Sequence, residues 1–170
     1  MKKYMNQWVL YGLKTIVVLI WLGCLWGQFI VVPVFSETLA GIYSSQAPLH
    51  WLYLILGELF LACVEIAFIG VWRLFSLSGS GTMFTAKAFP HVDLIIGCAS
   101  AGTALTAIIL VTFAVSAWND ATMQGMDCFS IAAILGATLV AEIGFILLMI
   151  VMKGLLRAAT DQSDELEQVI

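Results

Sequence analysis

Charged residues are scarce in this sequence. They make up 11% of its 170 residues, against 62% hydrophobic residues and a mean hydropathy of +1.03. Soluble domains carry about 25% charge, so this chain cannot clothe a water-facing surface and falls in the membrane class. Histidine is nearly lacking as well: His50 and His91 stand at opposite ends of apolar runs and cannot share one haem or metal. No C-x-x-C joins any of Cys24, Cys63, Cys98 and Cys128, so redox and zinc motifs are missing. Thiols inside apolar runs read as small hydrophobes. "SLSGSGT" (residues 76–82) lacks the Gly-Lys-Ser/Thr ending of a phosphate-binding loop and reads as a hairpin. With no nucleophile–base pair, ligand set or cofactor motif, the sequence points away from an enzyme. No catalytic residue, metal or cofactor is assigned, and no direct contact with nucleic acid is expected.

What the chain has in quantity is long apolar runs. A hydrocarbon core of about 30 Å takes roughly 20 apolar residues as a helix. Four stretches qualify, at about 9–34, 49–74, 92–117 and 129–152. The connections "SETLAGIYSSQAP", "SLSGSGTMFTAKAFP" and "WNDATMQGMD" are short and polar or Gly/Pro-bearing. Backbone in lipid must satisfy its own hydrogen bonds, so each span is predicted to be helical. The expected fold is all-α: an integral-membrane, up-down bundle of four transmembrane helices in one domain (1–157), followed by an acidic tail (158–170). That tail reads as solvated, disordered or weakly helical, or as a docking peptide.

The few basic residues set an orientation. Lys2, Lys3 and Lys14 accompany the start of the first span, Arg73 and Lys87 the second connection, and Lys153 and Arg157 the end of the fourth span. The other two connections hold Glu37, Asp120 and Asp127 and no Lys or Arg. The positive-inside rule then places both termini in the cytoplasm, and the first apolar run reads as a retained span. Tyr4, Trp8, Tyr11 and Trp72 read as an inner aromatic belt, and Trp51, Tyr53 and Trp118 as an outer one. Asp93, just after Pro90, reads as a helix-start residue interacting with the dipole rather than as a metal ligand with His91.

Small residues recur at four-residue spacing: Gly97 with Ala101, Ser100 with Ala104 and Gly102 with Thr106 in the third span, and Ala133, Ala137 and Ala141 in the fourth. Such faces allow close backbone approach in lipid. They are expected to pack the last two spans together, and could equally serve a homodimer.

Against this background the run "LGELFLACVEIAFIG" (56–70) is conspicuous, because it sets Glu58 and Glu65 seven residues apart on one helix face. Glu142 sits near the middle of the fourth span. A charge at the bilayer centre costs at least about 2.5 to 3.5 kcal/mol, so these side chains should face the bundle interior, take a proton or find partners. By depth, Gln28 is level with Glu58, Lys14 could reach toward Glu65 or snorkel to the interface, and Glu142 could bond Thr103, Thr106 or Thr138. The residues leave two readings open: a proton or cation site of a small transporter, or a structural or regulatory set fixing helix register. No broken helix, repeated half or continuous polar stripe is read in the spans, which weighs against transport.

The second connection and the tail carry a likeness. "VWRLFSLSGSGTMFTAKAFPHVDLIIG" (71–97), with its basic helix end and Phe84-Thr85 step, resembles the bacterial membrane family catalogued as domain of unknown function 2975. "MKGLLRAATDQSDELEQVI" (152–170) is similar to that family's basic exit and acidic, valine-tipped ending. The hairpin departs from the pattern in carrying Ser and Gly where relatives often have a charged turn, with Lys87 alone leading into the third span. The family has no assigned activity, so the resemblance implies no catalytic residue. Its members are often encoded beside a small helix-turn-helix regulator, which implies a regulatory role through such a cytoplasmic partner. On this reading the protein is a sensing, regulatory or accessory membrane component. Its partner is a cytoplasmic regulator or a membrane-complex subunit, met through Arg73, Lys87, Arg157, Asp164 and Glu165. The competing reading is a dimeric, proton- or cation-coupled transporter using Glu58, Glu65 and Glu142.

Overall fold

Hydrocarbon offers backbone N–H and C=O groups no partners, and each long apolar run accordingly closes its hydrogen bonds within a helix. The computed structural model describes residues 7–79, 88–118, 120, 123 and 125–167, with side chains at all of these except 7, 10, 78–79 and 161–167. The helices are α1 (Gln7–Trp26), α2 (Val32–Ile42), α3 (His50–Gly79), α4 (Phe89–Ala117) and α5 (Gly125–Glu167). A π turn, Gly27–Val31, joins α1 to α2, and a 3-10 turn, Ala47–Leu49, leads into α3. Four helical stretches are long and apolar enough to cross a membrane: Tyr11–Ile42, Ala47–Leu77, Phe89–Ala117 and Gly125–Thr160. They contain the cores of the four runs read from the sequence, the first reaching Ile42 rather than Val34. The protein is therefore all-α with the helices of a multi-pass membrane protein.

The first span is not a plain α-helix, which corrects the expectation of uninterrupted helices. Pro33 has no N–H, and in an α-helix its ring would press on the carbonyl of Phe29 four residues back. The chain answers by widening one turn: the Val32 N–H bonds the Gly27 carbonyl, five residues back. Such π turns put a local bend into a helix without breaking it. Tyr43 ends the span by leaving helical geometry at φ −115° and ψ 117°. Pro48 and Pro90 sit at the starts of the 3-10 turn and α4, where a missing N–H costs nothing.

Consecutive spans pack antiparallel. The first span lies on α3 where a side chain on Gly57 would come within 2.9 Å of Val32 Cγ1, and one on Gly27 within 3.1 Å of Leu61 Cδ1. Gly70 of α3 lets α4 approach, since a Cβ there would meet the His91 carbonyl at 3.2 Å. α4 in turn supports α5. The α5 face toward α4 runs through Cys128, Ala132, Leu135, Leu139, Glu142, Ile146, Met149 and Lys153, all at least half-buried, in alternating steps of four and three. That period of 3.5 is the seam of a left-handed coiled packing.

The small-residue stripes are placed otherwise than expected. Ala133, Ala137 and Ala141 are exposed on α5, as are Gly97, Ser100, Ala101 and Ala104 on α4. Only Gly102 and Thr106 of that set are buried, and Gly102 faces the Phe60 ring of α3. The last two helices do pack together, but through the larger residues of the 3.5-residue seam, because that face buries more apolar surface and also shelters the Glu142 carboxyl.

At the end of the bundle that carries Asp120 and Asp127, Phe113, Ala117 and Met123 form a buried cluster against Tyr43, Cys128 and Leu135. The segment between α2 and α3 is fastened over it. Gln46 is fully buried. Its amide nitrogen donates to Ser116 Oγ at 2.9 Å and Ser45 Oγ at 3.1 Å, while Tyr53 donates to its Oε1 at 2.8 Å. Tyr43 donates to Asp127 Oδ2 at 3.0 Å. Tyr53 is thus buried within the bundle, whereas Trp51 and Trp118 are exposed.

Candidate functional site

The buried carboxylates lie on two seams rather than in one cluster. Glu58 and Glu65 sit two turns apart on α3, beside the Gly57 and Leu61 contacts with the first span. Gln28 lies in the π turn, between the Gly27–Leu61 and Val32–Gly57 contacts that bracket the level of Glu58. It makes no hydrogen bond to either glutamate among the described residues. Glu65 Oε1 is buried and has no hydrogen-bond partner among the described residues.

Lys14 does not serve Glu65. Its Nζ stands 5.1 Å from the centre of the Trp72 ring, a cation–π contact. The antiparallel register accounts for this: with Gly27 opposite Leu61, Lys14 is carried to the level of Trp72, about two turns past Glu65. Residue spacing along one helix could not show this, because the offset between helices is fixed by where the glycines let them meet.

Glu142 sits in the α4–α5 seam. Thr106 Oγ1 donates to its Oε1 at 2.9 Å, while Oε2 is buried without a partner among the described residues. Thr103 and Thr138, the other expected donors, instead bond the carbonyls of Ala99 and Ile134 one turn back, each at 2.9 Å. Glu142 borders a cavity of about 290 Å³ lined by Phe60, Cys63 and Phe68 of α3, Cys98 and Gly102 of α4, and Phe145 of α5. A wider cleft of about 400 Å³ opens between the first span and α5, against Tyr53, Gly57 and Phe113; no carboxylate lines it. Sequence reasoning found the acid and one of its donors but missed the aromatic wall. The only available signal was the spacing of Phe60, Val64 and Phe68, which repeat every four residues on one face of α3.

At the opposite, basic end, Lys153 of α5 is ion-paired with Asp93 of α4. Asp93 is therefore a partner for α5 and not a cap: the N-cap position of α4 is Ala88, with no side-chain bond. Arg73 and Arg157 are exposed on α3 and α5. Lys87 lies outside the described residues, and Asp164 and Glu165 belong to the part of α5 whose side chains are not described. The backbone there remains helical through Glu167, so the tail expected to be disordered or weakly helical continues α5. The four cysteines are free.

Four apolar, antiparallel helices with carboxylates turned inward define a multi-pass α-helical membrane protein. Residues 34–170 match the family described as protein of unknown function (DUF2975), and the chain belongs to it. No curated protein and no solved structure matches the chain.

Proposed function

We propose that this is a non-enzymatic bacterial plasma-membrane protein that senses a ligand within its helices and acts through a partner at its basic end. The observation that supports this is α5. It runs unbroken over 43 residues, from Gly125 to Glu167, a rod of about 65 Å at 1.5 Å per residue. Hydrocarbon accounts for about 30 Å of that. The same rigid element thus carries Glu142 beside the cavity and, beyond the membrane, Arg157 and the acidic tail. The positive-inside rule supports a cytoplasmic side for that end and for both termini. There the partner is a small helix-turn-helix regulator or a membrane-complex subunit, meeting residues 73–87 and 157–170. Alanine substitution of the exposed polar residues in those two segments is expected to abolish partner capture with membrane insertion intact. Capture at the wild-type level would contradict the reading.

A second reading, a proton- or cation-coupled transporter working as a dimer, is favoured by one observation: Glu65 and Glu142 each keep a buried oxygen without a partner. The placement of the acids on separate seams weighs against a single relay. Glu58→Gln, Glu65→Gln and Glu142→Gln should each abolish pH-dependent flux in proteoliposomes if it holds; undiminished flux in all three excludes it.

A further inference from the structure

The cavity between α3, α4 and α5 combines three features found together nowhere else among the described residues. One is a carboxyl group with a free oxygen. The α5 backbone sets Glu142 in the α4-facing seam, and the Thr106 hydroxyl occupies its Oε1 at 2.9 Å. That leaves Oε2 buried and unpartnered on a side chain bordering the cavity. A buried carboxyl oxygen without a partner is costly, so a ligand that brings a donor or a positive charge to it gains more here than at a solvated surface.

The second feature is the rest of the wall. Phe60, Phe68 and Phe145 line it, and phenyl faces attract positive charge, most strongly where water is excluded. The third is the lack, among the described residues, of a competing cation. Lys14 is held over Trp72, Lys153 is paired with Asp93, and Arg73 and Arg157 are exposed. One carboxyl and three phenyl rings do not suit a small hydrated metal ion, which would give up its water for too few oxygens. They suit a charge spread over an apolar body. The volume, about 290 Å³, is at the lower edge of the range of roughly 300–1,000 Å³ for small-molecule sites.

We propose that this cavity binds an organic ammonium ion carrying an apolar body, with Glu142 as its counter-charge and Phe60, Phe68 and Phe145 as its cage. The proposal deepens the sensing reading by naming the class of ligand, and it rests on that reading only for what binding would then cause. The wider cleft beside Tyr53 and Gly57 has no counter-charge and lacks this selectivity.

The test uses radiolabelled benzyltrimethylammonium and the purified full chain in lipid nanodiscs, with empty nanodiscs as background. Neopentylbenzene, which has the same shape without the charge, is the competitor. Saturable binding is expected, displaced by unlabelled cation but not by neopentylbenzene. Glu142→Gln, which keeps the Thr106 bond, should weaken it about tenfold or more, the scale expected of a desolvated charge contact. Glu58→Gln should leave it unchanged. Equal competition by neopentylbenzene would make the cavity an apolar groove for a lipid chain and overturn the proposal, as would undiminished binding by Glu142→Gln. Should that variant not fold, the unaltered chain decides: the cation, and not neopentylbenzene, should slow modification of Cys98 by N-ethylmaleimide, and an unchanged rate overturns the site. Cation binding without any captured partner would remove the sensing reading and leave the site standing.

Discussion

Gln46 and Glu142 are both polar side chains set among apolar helices, and the bundle treats them in opposite ways. Gln46, fully buried at the acidic end, engages Ser45, Tyr53 and Ser116 through both ends of its amide. Glu142, deep between α3, α4 and α5, is given one donor and keeps one oxygen unpaired beside a cavity. A satisfied network rigidifies and specifies; a half-satisfied one costs stability unless something else completes it. The first arrangement fastens a connection to the helix ends. The second leaves a carboxyl oxygen open to the proposed ligand.

This contrast can be broken by substitution. The largest effect is expected from Gln46→Leu, which takes the Gln46 partner from the buried Tyr53 hydroxyl and from the half-buried Ser116, and should cost about 2–4 kcal/mol in thermal unfolding. A loss under about 0.5 kcal/mol, within the range of ordinary surface substitutions, would show that the network is not structural. Next comes packing at the helix crossings. Gly57→Val would drive a side chain into Val32, 2.9 Å away at the Cβ, and should cost about 1–3 kcal/mol by overpacking. Gly97→Val, with nothing within 4 Å, should lose little stability; equal losses at the two sites would contradict the crossing geometry. Glu142→Gln should change stability by less than about 1 kcal/mol, because it keeps the Thr106 bond and swaps one unpaired group for another. A loss matching that of Gln46→Leu would make Glu142 a structural residue and erase the distinction.

The smallest effect concerns Tyr43. Its hydrogen bond to Asp127 raises the phenol above its ordinary range, with burial and the charge of Asp120 adding to this. A raised folded-state value means the contact is fully present below the ordinary tyrosine range and is lost as pH rises through the folded one. Protein stability should therefore fall slightly at strongly alkaline pH, and Tyr43→Phe should remove that component. An identical alkaline profile in the variant would show the bond to be idle.

Much of the architecture was legible because each span is a long apolar run, and runs of that length admit one backbone solution in lipid. The inward acids were legible for the same reason, since charge has few tolerable positions there. What escaped was everything decided by which face of an apolar helix turns inward. In α5 the face is set by the 3.5-residue seam, not by the more visible Ala133, Ala137, Ala141 stripe. Tyr53 sits where an interfacial ring and a buried hydroxyl look alike in sequence. The π turn before Pro33 follows from proline chemistry, but the run around Pro33 is apolar on both sides and carries no polar residue to mark a bend. Lys14 went to Trp72 because the register between two helices depends on glycine contacts that no single helix reveals.

The central claim is that this protein acts through a partner held at the basic end of α5. It is tested most directly by capturing the tagged full chain from its native host in mild detergent, beside a version ending at Thr160, and identifying what co-purifies. The account predicts a stoichiometric cytoplasmic regulator or membrane subunit with the full chain, lost from the shortened one. A homo-oligomer with nothing attached, or the same partner bound equally to both, would contradict it.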